Sequence, residues 1–157
     1  MPTVSASDHL DSAVPAAYQA LIAAGKAAGL AARDAGLDPL VVELVRIRSS
    51  QLNGCAFCLR MHTRDAFAHG ETSDRLAVLP AWRDSRYFTA VERAALAVAE
   101  EVTLIPDQQT GRRFLRSDGD VEQQVLTPDQ LAAVRWLTIV INAFNRIAIL
   151  SHYDVAP

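Results

Sequence analysis

The chain has 157 residues, half of them hydrophobic and about a fifth charged, which suits one globular domain spanning 1–157 and excludes a disordered or fibrous protein. A formal charge of -3 supplies no general attraction to phosphate backbones or anionic lipid, so neither nucleic acid nor a membrane surface is expected as a partner. The N-terminus lacks a basic segment followed by an apolar one, and no uninterrupted apolar run approaches the roughly 20 residues that span a bilayer. A cytoplasmic protein is expected, and in that reducing compartment two cysteines three residues apart point to catalysis or metal binding rather than to a structural staple.

Pro15 opens an Ala-rich helix running to about residue 35, with Gly36 after it and Gly25 and Gly29 as weak points inside. Asp38-Pro39 supplies a cap and a first-turn proline for "LVVELVRIRSSQL", and Asn53-Gly54 ends that helix. A further helix carries Cys55 to His69 and stops at Gly70, and a short one over 73–79 stops at Pro80. Thr89 and Glu92 form a capping-box pattern before "RAALAVAEEVTL", which ends at Pro106. Thr127, Pro128 and Gln130 start the last helix, in which "WLTIVI", though β-prone alone, stays helical between capped flanks. Residues 106–126 read as a polar, partly irregular connection. The pattern predicts an all-α fold of six or seven helices.

Both cysteines lie in "NGCAFCLRMHTRD". At roughly 100° per helical residue, Cys55, Cys58, His62 and His69 fall within about 60° of one another, with Ala66 among them and Phe57, Arg60 and Arg64 elsewhere. Cys55 follows Gly54 at a helix N-terminus, where backbone N–H groups and the helix dipole favour a thiolate. Glu43, at the edge of the apolar face marked by Leu40, Leu44 and Ile47, is either an exposed rim residue or a partly buried acid or base with a pKa raised by desolvation. Arg48 projects from the middle of that face and needs either an ion-pair partner or room to extend its charge to solvent.

Haem attachment needs histidine directly after the second cysteine, where Leu59 stands, and a thioredoxin-like pair needs a preceding strand. Both fail. Zinc held by Cys55, Cys58, His62 and either Glu43 or His69 stays open, as does a bland core of two small side chains beside a histidine.

Glu43, eleven residues, Cys55-x-x-Cys58, three residues and His62 resemble the signature of the alkylhydroperoxidase D (AhpD)-like group of the carboxymuconolactone decarboxylase superfamily. "TAVERAALAVAEEVTL" and "LAAVRWLTIVINAFNRIAIL" are similar to that group's later helices, so the resemblance covers most of residues 35–150. It implies an AhpD-like helical homo-oligomer, trimeric or hexameric, with no prosthetic group and no metal. It also implies a cysteine-based antioxidant peroxidase or thiol-disulfide oxidoreductase acting on hydrogen peroxide or organic hydroperoxides, served by a thiol or dithiol reductant protein. Cys58 then corresponds to the attacking thiol, Cys55 to its disulfide partner, and Glu43 with His62 to a water-mediated proton relay. Peroxidases of the group carry a histidine directly before the second cysteine; Phe57 at that position implies a weaker peroxidase or a different oxidant. A zinc-binding or structural module, or a non-redox enzyme on the same scaffold, are the competing readings. Asn142, Asn145 and Arg146 match the group's tail and are expected to tie helices or line a subunit contact. His9 and His152 are expected at the surface, Trp82 and Trp136 in the core or an interface.

Overall fold

A computed structural model describes residues 9–105 and 125–156, which hold seven α-helices and one 3-10 segment, with no strand among the described residues. The helices are α1 (Leu10–Ala13), α2 (Pro15–Asp34), α3 (Pro39–Asn53), α4 (Ala56–Ala68), α5 (Ser73–Val78), α6 (Ala90–Thr103) and α7 (Pro128–Leu150), the 3-10 segment Leu79–Asp84 lying between α5 and α6. Most of the polar connection expected over 106–126 lies outside the described residues.

The starts and stops follow the local chemistry. Asp38 accepts a hydrogen bond from the Leu40 N–H at 2.8 Å ahead of Pro39. Gly54 ends α3 at φ 70°, a left-handed conformation that costs glycine little and turns the chain into α4. Thr89 with Glu92 and Thr127 with Gln130 form complete capping boxes. Pro80 does not stop the chain from turning: α5 passes directly into the 3-10 segment, where a proline near the start needs no N–H partner. Gly25 and Gly29 leave α2 unbroken, and a Cβ at Gly25 would already touch Phe144 and Val140 at 3.4 Å, so α2 and α7 pack closely there.

Helix α3 packs against α2, α4, α6 and α7 and is the organising element. One core cluster joins Val41 and Val45 of α3 to Ala95 and Val98 of α6 and Val134 and Leu137 of α7. A second joins Leu44 and Ile47 to Leu96 of α6 and to Trp82, which is buried as expected. Buried alanines at 94, 95, 97 and 99 bring α6 close to its neighbours. Each fully buried Val or Leu stabilises the fold by about 1.5–3 kcal/mol relative to exposure. Trp136 lies at the surface, 57% exposed.

Helix α7 is the segment that bears on membrane insertion. Its 23 residues contain a stretch of mean hydropathy 1.4, and by length and composition alone the helix could cross a membrane. Asn142, Asn145 and Arg146 interrupt the apolar run as counted along the sequence, and half of the apolar stretch is buried against this domain's own helices. Asn145 is wholly buried, with its Nδ2 donating to Ser50 Oγ at 3.0 Å and its Oδ1 accepting from Asn53 at 2.8 Å. These bonds tie α7 to α3, as the tail motif suggested.

Candidate functional site

The site sits where α3, α4 and α7 meet. Because Gly54 turns the chain sharply, Cys55 becomes the N-cap of α4 and its Sγ accepts a hydrogen bond from the Cys58 N–H at 3.4 Å. Both thiols are free and buried, 1% and 2% exposed, against Ile141 and Ala148 of α7. Burial and the neighbouring Cys55 thiol push Cys58 up to about 12, although the Asn145 amide pulls the other way. This thiol therefore needs a base to ionise at neutral pH.

One turn along α4, His62 is buried, and its Nδ1 lies 2.8 Å from Glu43 Oε2 on α3. A carboxylate only accepts hydrogen bonds, so the neutral imidazole carries its hydrogen on Nδ1 and leaves Nε2 as a base. Glu43 is 5% exposed, which excludes the rim alternative, but its pKa moves opposite to the expected rise. Burial alone pushes the carboxyl up; the His62 hydrogen bond and the charge of Arg46, whose NH1 donates to Oε1 at 2.6 Å, together hold it below its ordinary value. Glu43 is thus an ionised anchor for the imidazole rather than a proton donor. Arg46, three residues from Glu43 on the same helix, was not singled out in the sequence, though that spacing signals a helical pair.

Cys58 and His62 open onto a cavity of about 500 Å³ between α2, α4 and α7. Its walls are mainly apolar, from residues such as Ile22, Leu137 and Phe144, with Lys26 and Arg46 contributing charge. Phe57, expected to point elsewhere, lines this cavity and meets Tyr153 edge-on at 5.0 Å between centroids. Helical angles fail for Phe57 because the C-terminal segment folds back over the start of α4. His69 is exposed at the C-cap of α4 and is not part of the site. The histidine sits past the last helical residue, so the facing computed from a regular helix does not reach it. His152 is exposed, while His9 is partly buried and stacks on Tyr153.

The zinc set proposed from spacing is not gathered. Among the described residues, the histidine, cysteine and carboxylate groups that converge within metal-binding distance are Glu43, His62 and the exposed Asp65, without either thiol. Glu43 in that group is already paired with Arg46.

With this geometry in view, comparison with known proteins places the chain. It belongs to the carboxymuconolactone decarboxylase family, whose pattern it matches over residues 15–101. It is 41% identical over 110 residues to the uncharacterized protein YdfG of Bacillus subtilis, covering 68% of this chain and 70% of that protein. It is 31% identical over 109 residues to the uncharacterized protein YnjA of Escherichia coli, covering 69% of this chain and 59% of YnjA. A crystal structure of an Agrobacterium tumefaciens protein of unknown function, with a suggested role as the antioxidant defence protein AhpD, superposes with a TM-score of 0.79. That likeness covers 99% of both chains at 24% identity, so the fold is AhpD-like.

Proposed function

We propose that the protein is a cysteine-based peroxidase or thiol-disulfide oxidoreductase that reduces hydroperoxides through Cys55 and Cys58. The observation that carries this reading is the buried His62, hydrogen-bonded to Glu43 and lining the same cavity as the Cys58 thiol. His62 Nε2, through a water, takes the Cys58 proton, and ionised Glu43 stabilises the imidazolium that forms. The thiolate attacks one peroxide oxygen, the O–O bond breaks, and the departing alkoxide takes the proton back from His62. Cys58 is then a sulfenic acid; attack by the Cys55 sulfur forms the disulfide and releases water. Two thiols and one hydroperoxide give one disulfide, one alcohol and one water, and a thiol or dithiol reductant protein returns the pair to its starting state.

Exposed Trp136, Ile139 and Leu150 on α7 support a homo-oligomer, trimeric or hexameric, and the unpaired vicinal thiols suit the reducing cytoplasm. The test treats reduced protein with a small excess of hydroperoxide and maps the products by mass spectrometry. A Cys55–Cys58 disulfide that fails to form in Cys58→Ser is the expected result; thiols that stay free in the wild type would overturn the proposal.

A further inference from the structure

The cavity beside Cys58 is larger than the smallest oxidant requires. Sites for small organic ligands occupy about 300–1,000 Å³, and this one measures about 500 Å³. A water molecule's share of liquid volume is about 30 Å³, so hydrogen peroxide would leave most of the space to water against apolar walls. Filling those walls with hydrocarbon is favourable at about 25 cal/mol per Å² removed from water.

The polar groups of the lining are distributed unevenly. Apart from the Cys58 and His62 pair, its charged members are both cations, Lys26 and Arg46, and no carboxylate lines it. Glu43 does not reach the wall, and its charge is already met by Arg46 and His62. Lys26 is exposed and has no hydrogen-bond or ion-pair partner among the described residues. Gly29, one turn further along the same face of α2, lies beside the second cation: a Cβ there would stand 3.9 Å from Arg46 NH2. Arg46 has five N–H donors, and Glu43 engages NH1. The cavity therefore pairs a hydrocarbon-lined body with a cationic side and a thiol.

We propose that the cavity takes an organic hydroperoxide with a bulky apolar body and one anionic group, the anion held by Lys26 and Arg46 and the peroxide presented to Cys58. This substrate class rests on the thiol-peroxide reading above, and the test separates the two. Reduced protein is mixed in single turnover with hydrogen peroxide, cumene hydroperoxide or the para-carboxylate of cumene hydroperoxide, and thiol loss is followed by quench and mass spectrometry. No external reductant is needed.

The carboxylated probe should react about fivefold faster than its neutral parent at low salt, the scale of one modest charge pairing, and the neutral parent faster than hydrogen peroxide. Lys26→Met, at an exposed position that the fold tolerates, should reduce the ratio between the two cumene probes to below about twofold. Non-oxidising 4-isopropylbenzoate should slow iodoacetamide labelling of Cys58 in the wild type and do so less in Lys26→Met. Equal rates for all three peroxides, or a ratio untouched by Lys26→Met, would overturn the substrate class while leaving the thiol chemistry standing. Thiols inert to every probe would overturn both.

Discussion

Two partly desolvated carboxylates on neighbouring helices differ in the kind of donor that each one meets. Glu100 on α6 accepts hydrogen bonds from Arg48 Nε at 2.8 Å, Trp82 Nε1 at 2.9 Å and Arg83 NH2 at 3.1 Å. Glu43 on α3 accepts from Arg46 at 2.6 Å and His62 Nδ1 at 2.8 Å. The partners of Glu100 never release a proton under ordinary conditions, since guanidinium stays charged and indole is a donor only. One partner of Glu43 is the imidazole of His62, a residue that lines the adjoining cavity. A carboxylate whose donors are all permanent ties the fold together, and one bonded to an imidazole is also placed to stabilise an imidazolium.

The comparison is broken most severely at Glu100. Glu100→Ala takes the acceptor from the buried Trp82 N–H and one ion-pair partner from Arg48 and Arg83, and leaving a buried donor unsatisfied typically costs about 1–3 kcal/mol. Urea denaturation should show a lowered midpoint at an unchanged slope, and a loss below about 1 kcal/mol would mean that solvent already serves those groups. Glu43→Gln has the opposite profile. The amide oxygen still accepts from His62 Nδ1, but the charge that stabilises an imidazolium is gone, so peroxide-driven disulfide formation should slow roughly thirtyfold, within the range of a general-base contribution. An unchanged oxidation rate in a folded Glu43→Gln would remove Glu43 from the relay.

Titration sharpens the same contrast. Burial pushes the Cys58 thiol up to about 12, so its thiolate fraction climbs about tenfold per pH unit across the accessible range. Iodoacetamide labelling of Cys58 should rise from pH 7 to 10 without a plateau, and a plateau near pH 8 would contradict the burial seen here. For Glu43 the direction reverses. Its carboxyl is held below its ordinary value, so the stability it contributes is complete above the ordinary carboxylate range. That contribution declines as the pH falls into this range, where the unfolded chain takes up protons first, and is gone below the depressed folded value. Glu43→Gln should flatten that part of the acid-unfolding profile.

Much of this architecture was legible in sequence because its signals are local. The caps at Asp38, Thr89 and Thr127 and the glycine stop at Gly54 each depend on a few adjacent residues, and the helices begin and end beside them. Arg48 has an ion-pair partner in Glu100, but its identity lies 52 residues away and has no local trace. Cys55, Cys58 and His62 are near neighbours on and beside one helix, so periodicity brings them together. His69 fails the same count because it has left the helix, and Phe57 acquires its role from Tyr153, a contact made only by the folded C-terminus. The cationic side of the cavity was invisible for the same reason: Lys26 and Arg46 come from different helices and line one cavity only in the folded chain.

Phe57 carries the smallest and most discriminating prediction. Between the two cysteines it presents a ring that closes one wall of the cavity with Tyr153 and offers no proton. Removing that edge-to-face contact costs about 0.5–1.5 kcal/mol, so Phe57→His should be slightly destabilised yet fold. The new imidazole would stand beside Cys55, whose attack on a Cys58 sulfenic acid closes the disulfide in the proposed cycle. Disulfide closure should therefore accelerate about threefold, while the first attack on peroxide, assigned to His62 and Glu43 in the proposed cycle, changes less. Dimedone trapping separates the two steps, because faster closure leaves less sulfenic acid to capture. If trapping is unchanged in Phe57→His while closure remains the slower step, Cys55 requires no base of its own, and Phe57 serves to shape the cavity rather than to limit the chemistry.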